Sequence, residues 1–206
     1  PVRTKKSSQT TSLNPLHMLR KNPSLLILSL SVFLVTIGGY VASFYPDYLK
    51  KAFSVDQFQV GLFDSVYAAL WAVSNYPMGL LSDKVSRKKV IVPGYTLMGL
   101  AWLLFAVPQS LSWLFILYAV YSLGNSMGFY TTALVMDITS EQKKGTAVGI
   151  FNCFMYLGVF LSGIVGGVLW ESIGASASFR VAFVTFTAAA LIINFFVKPS
   201  AQNLKN

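Results

Sequence analysis

Residues 79–90 read GLLSDKVSRKKV. Asp83, Lys84, Arg87, Lys88 and Lys89 are crowded into one short connection, with long apolar runs on both sides. Those flanks decide the fold class. Charged residues make up 11% of the 206-residue chain, against about 25% in ordinary globular proteins. Mean hydropathy is +0.60 and 54% of residues are hydrophobic. A soluble surface cannot hide that much apolar side chain, so an integral membrane protein embedded in a lipid bilayer is expected.

Six apolar runs are long enough to cross a ~30 Å hydrocarbon core as helices of about 20 residues each. They cover about 24–45, 58–81, 90–107, 113–135, 146–170 and 179–197. Backbone facing lipid must satisfy its own hydrogen bonds, which favours helices. The runs are continuous and about twice the length of a barrel strand, which argues against a β-barrel. The predicted fold is therefore all-α, with six transmembrane helices. The predicted organisation is a polar connector over 1–22, a six-helix domain over 23–198 and a tail over 199–206. Pro46 is expected to mark the end of the first span.

Basic residues set the orientation. Of 16 Lys and Arg, thirteen fall on the side of the termini and of the 82–89 and 137–145 loops; Lys50, Lys51 and Arg180 fall on the other. Both termini are expected in the cytoplasm, in a multi-pass protein of the plasma (inner) membrane. The net charge of +9 has the same origin, so no nucleic-acid partner is expected. A single cysteine, Cys153, and a single histidine, His17, exclude a disulfide framework, a His-based triad and a zinc site in the membrane. No metal, cofactor or enzymatic activity is expected. Gly124-Asn125-Ser126-Met127-Gly128 spells a hydrolase nucleophile elbow, but it lies mid-span without a His, and Gly124 and Gly128 suit helix packing instead. No phosphate-binding loop supports ATP-driven transport. The first 22 residues are polar and lack the apolar core of a signal peptide. The chain opens on Pro1 rather than Met, so it is expected to be a piece or a processed product.

The order of residues in the opening stretch carries a resemblance. Gly79-x-Leu81-x-Asp83-Lys84-x-Ser86-Arg87-Lys88 resembles the loop signature G-x-L-x-D-R-x-G-R-R/K of the major facilitator superfamily, which joins the second and third helices of each six-helix half. Ser86 departs from the family's Gly. The fifth span resembles the family's antiporter motif, G-x8-G-x3-G-P-x2-G-G: Gly149, Gly158, Gly163, Gly166 and Gly167 keep the spacing, while Ser162-Gly163 replaces Gly-Pro. Small residues so spaced also let helices approach closely in lipid, and that plainer packing role is preferred. The fourth span lacks the buried Arg usual in a first half. With residues 1–22 resembling the central connector, the resemblance implies the C-terminal half of a twelve-helix carrier, built from two three-helix inverted repeats.

The resemblance also implies a cluster of Asp83, Arg87 and Asp137 that holds the cytoplasmic side shut. Asp64 is the acid inside a span, roughly 10 Å from the outer end at 1.5 Å per residue. Asp64, Tyr67, Trp71, Asn75 and Met78 share one helix face, a mixed stripe suited to a substrate or proton pathway. Tyr118, Tyr121, Asn125, Phe129 and Thr132 form a second stripe. Tyr40, Asn125 and Asn152 are further pathway candidates. The expected function is secondary active transport of a small solute by alternating access, with the other six-helix half as partner and a lean towards drug or metabolite efflux. A stand-alone six-helix protein acting as homodimer, receptor or channel is the alternative.

Overall fold

A computed structural model describes residues 15–107 and 110–197. The greater part of the expected connector (residues 1–14) and the 199–206 tail lie outside the described residues. In chain order the helices are α1 (Pro15–Lys21), α2 (Pro23–Gly38), α3 (Val41–Phe53), α4 (Gln57–Lys84), α5 (Arg87–Phe105), α6 (Leu111–Gly128), α7 (Thr131–Asp137) and α8 (Lys144–Phe196), with a 3-10 turn at Glu141–Lys143 before α8. The described residues contain no strand. Pro23–Phe53 and Glu141–Phe196 are long and apolar enough, by length and composition, to cross a membrane.

The boundaries follow local chemistry. Asn22 caps α2, its Oδ1 accepting from the Leu25 N–H at 3.3 Å, and Pro23 takes the first helical position, where a missing N–H costs nothing. Pro46 does not end the first span as expected. It lies inside α3, which runs on to Phe53 and stops where Ser54 turns left-handed at φ 55°. The break comes earlier, at Gly39–Tyr40 between α2 and α3. Asp56 and Gln59 form a reciprocal capping box on α4, at 2.8 and 3.0 Å.

The fifth and sixth runs are the two limbs of α8, 144–173 and 175–196, broken at Gly174. Its φ of 76° and ψ of 171° lie in a region open essentially to glycine alone. The limbs run back along each other with α2 against both. Tyr40 meets Gly166 on one limb and donates to the Ser178 carbonyl on the other at 3.3 Å. Farther from the bend, Thr36 and Phe33 abut Gly158 while Gly38 abuts Ala182 and Thr185. The α5 helix packs antiparallel to α6 through glycine: a Cβ on Gly94 would meet the Gly124 carbonyl at 2.8 Å, and one on Gly124 the Gly94 carbonyl at 2.7 Å. On its other side α5 stacks Trp102 on Phe179, with centroids 5.5 Å apart.

Two ends emerge. One gathers the start of α2, the α4–α5 turn, the end of α7, the start of α8 and its C-terminus, together with Arg20, Lys21, Lys84, Arg87, Lys88, Lys89, Lys143 and Lys144. The other holds the α3–α4 turn, the α5–α6 connection and Gly174, with Lys50, Lys51 and Arg180.

Candidate functional site

At the basic end, the α4–α5 turn puts Arg87 one turn past Asp83. Arg87 Nε donates to Asp137 Oδ2, at the end of α7, at 2.5 Å; each of these side chains is 23% exposed. Asp83 lies 3.7 Å from the other side of the same guanidinium and is 71% exposed. The three charges expected together are together, with the strong bond on Asp137. Lys88 goes elsewhere. Its ammonium donates to the carbonyls of Asn194 and Val197, at 2.5 and 2.8 Å, capping the end of α8. This ties the loop to the last helix. Gly79 lies beneath Tyr130, whose hydroxyl donates to the Asn75 carbonyl at 2.6 Å; a Cβ on Gly79 would come within 3.0 Å of that oxygen. Asn22 Nδ2 donates to the Ile138 carbonyl at 3.2 Å, joining the start of α2 to the same corner.

Between the ends, α4 and α6 run side by side in the same direction. Tyr118 donates to Asp64, Ser122 Oγ to the Tyr67 carbonyl at 2.7 Å, and Asn125 Nδ2 to the Tyr67 hydroxyl. Farther along, Trp71 meets Phe129 edge-on at 5.7 Å. Asn75 turns inward and donates to the Trp71 carbonyl of its own helix at 2.7 Å. The stripe expected on α4 therefore exists as a register of contacts with α6.

Asp64 sits where α3, α4 and α6 converge. Its Oδ1 accepts from Tyr45 at 2.5 Å and from Tyr118 at 3.3 Å. The Tyr45 and Tyr118 rings are 4.5 Å apart, and Tyr67 stacks on Tyr121 at 5.7 Å. The Asp64 side chain remains exposed. Tyr45 escaped the sequence reading because 10 Tyr and 16 Phe leave no aromatic conspicuous. The Asp56–Gln59 box is written in the sequence as D-x-x-Q.

Other expected pathway residues fall differently. Tyr40 is 2% exposed, wedged between Gly166 and Ser178, and therefore packs rather than lining an opening. Asn152 is half-buried and makes no side-chain hydrogen bond among the described residues. Gly124, Gly128, Gly158 and Gly166 sit in close helix contacts. Gly149 and Gly163 do not: a Cβ on either meets nothing within 4 Å. Gly167 makes ordinary contact with Phe44 at 3.9 Å.

This arrangement defines a helical bundle with an Arg87–Asp137 ion pair at its basic end and, towards the opposite end, an acid within a helix held by tyrosines. Residues 25–206 match the Major Facilitator Superfamily. The chain is 30% identical over 131 residues to an uncharacterised MFS-type transporter of Methanocaldococcus jannaschii, covering 63% of this chain and 33% of that protein. It is 27% identical over 189 residues to a multidrug transporter of Candida glabrata, covering 82% of this chain and 32% of the relative. Among solved structures, the fold matches a bacterial homologue of the human lysosomal transporter Spinster, in an inward-facing and occupied conformation. That match has a TM-score of 0.75 at 19% identity and covers 88% of this chain and 45% of the other. The chain belongs to the major facilitator superfamily, a family of integral membrane transporters rather than enzymes. It spans about a third of the length of these two curated relatives.

Proposed function

We propose that this chain is one six-helix half of a secondary carrier that moves a small solute across the membrane by alternating access. The six crossings are 23–53, 57–84, 87–105, 111–137 and the two limbs of α8, with the basic end in the cytoplasm and the plasma (inner) membrane as the host. The observation that carries the reading is the partly buried Arg87–Asp137 bond, flanked by Asp83, at the basic end. A carrier must close one side while the other is open, and a guanidinium shared between a helix start and a helix end can hold such a closure and release it. Asp83, mostly exposed here, is left free to dock on the other half.

Two faces support a missing half. On α4, Val73 and Tyr76 are 74% and 75% exposed; on the first limb of α8, Tyr156 and Phe160 are each 64% exposed, beside the open Gly149 and Gly163. Flat, glycine-notched faces of this kind suit helix-to-helix contact in lipid. The multidrug relative favours export of a drug or metabolite, driven by a proton or solute gradient. The pathway would run along Asp64, Tyr67, Trp71, Asn75 and Asn125.

The test uses the full-length carrier in proteoliposomes with an imposed proton gradient and a panel of small solutes. Gradient-driven flux, with cytoplasmic and external cysteine probes labelled in alternation, is the expected result. Absence of flux together with fixed accessibility on both sides would sink the carrier reading.

A further inference from the structure

Asp64 poses a problem of charge. It is the eighth residue of α4, and no Lys or Arg of the described residues pairs with it. Oδ1 accepts from two tyrosine hydroxyls, which stabilise a carboxylate without neutralising it. Oδ2 receives no hydrogen bond from the described residues, and the side chain is exposed. An anion in an apolar span without a counter-charge is costly, and such groups ordinarily face a partner or a ligand. A cationic group would balance that charge.

The surroundings say which kind. A small hard cation needs several oxygen ligands, and here one free carboxylate oxygen is bordered by rings. Along the same flank lie the half-buried rings of Tyr67 and Trp71, with Phe129, 59% exposed, set edge-on against Trp71. Aromatic faces attract organic cations and cover apolar bodies. From Asp64 to Trp71 the helix rises roughly 10 Å.

Resting on the carrier reading above, we propose that Asp64, with Tyr67, Trp71 and Phe129, forms the recognition site for an organic monocation. The ammonium sits at Asp64 Oδ2 and the apolar body lies along the rings towards Phe129. Tyr45 and Tyr118 are positioning residues: they hold the carboxylate in one rotamer and leave its second oxygen outward.

The test is binding to the purified full-length carrier, read by tryptophan fluorescence and by calorimetry, with a charge series of similar size: benzyltrimethylammonium, neutral 2-phenylethanol and anionic phenylmethanesulfonate. The wild-type protein is expected to bind only the cation saturably, a result that needs no variant to fold. Asp64→Asn should weaken cation binding by roughly tenfold or more, the loss of a charge-assisted contact, while Asp64→Glu keeps most of it. Equal binding of all three probes, no binding of the cation, or an unaltered cation affinity in Asp64→Asn would overturn the proposal. Cysteine-probe labelling on both faces of the same wild-type preparation separates the two readings. Alternation without cation selectivity removes the cation site and leaves the carrier; fixed accessibility removes the carrier itself.

Discussion

Replacing Asp137 with Asn removes the charge from the Arg87 bond while keeping an acceptor of the same shape. The Nε–Oδ2 distance is 2.5 Å and both side chains are 23% exposed, so solvent screens the pair only in part. A hydrogen bond to a charged group contributes about 1.5–3 kcal/mol. Asp83, 3.7 Å away and 71% exposed, replaces little of it, since an ion pair that open to water contributes below about 1 kcal/mol. If the pair exists only when the basic end is closed, Asp137→Asn shifts the closed-to-open ratio by roughly 10- to 150-fold. The assay is the rate of maleimide labelling of a cysteine placed at Asn75, which the closed corner covers through Tyr130, in a Cys153→Ser background. The rate should rise by at least an order of magnitude. Arg87→Gln should do the same, and the double variant should fall short of the sum of the singles by about 0.5–3 kcal/mol, because the two residues share one bond. Strict additivity, or an unchanged labelling rate in either single variant, would refute the lock.

Other predictions read different parts of the bundle. Gly124→Val should lower the melting temperature in detergent, because its Cβ would meet the Gly94 carbonyl at 2.7 Å; overpacking of this kind costs about 1–3 kcal/mol, whereas Gly145→Ala, with nothing within 4 Å, should leave the melt unchanged. Gly174→Ala should destabilise by about 1–3 kcal/mol, read by the same melt, since φ 76° with ψ 171° excludes a Cβ. Ser54→Gly should be neutral or stabilising by up to about 1 kcal/mol, because glycine adopts the φ of 55° without the clash a side chain brings. Lys88→Met should loosen the end of α8 by removing two carbonyl caps, seen as faster amide exchange over 191–197 while Arg87–Asp137 coupling persists.

The legible part of this fold was what hydropathy and charge control. Apolar runs located the helices, and the positive bias gathered the basic residues at one end. Breaks inside the runs were not legible, because they depend on tertiary contact. Tyr40 ends α2 where Gly166 and Ser178 receive its ring and hydroxyl, and Pro46 is carried inside α3. Asp137 could be paired with Arg87 only through the family resemblance, since the two lie 50 residues apart. Lys88 looked like its neighbours in the string, yet the last turn of α8 recruits it.

Asp64 was conspicuous as an acid within a span, but its tyrosine donors were not, and the difference has a physical cause. A charge in an apolar run violates a local rule and is visible without a fold. A tyrosine in an apolar run violates nothing, and its importance appears only when three helices bring its hydroxyl to that charge. The same asymmetry runs along α4. Asp64 lies two turns into α4 and Asp83 near its C-terminal end; between them α4 is tied to α6 by the Ser122–Tyr67 and Asn125–Tyr67 bonds and, just past α6, by Tyr130 on the Asn75 carbonyl. A slip of one residue in that register would move all of these partners off their acceptors together. The α4–α6 pair is thereby tied along much of its length, and the Arg87–Asp137 bond lies beyond the last of these ties, past the Phe129–Tyr130 break and the Val85–Ser86 turn.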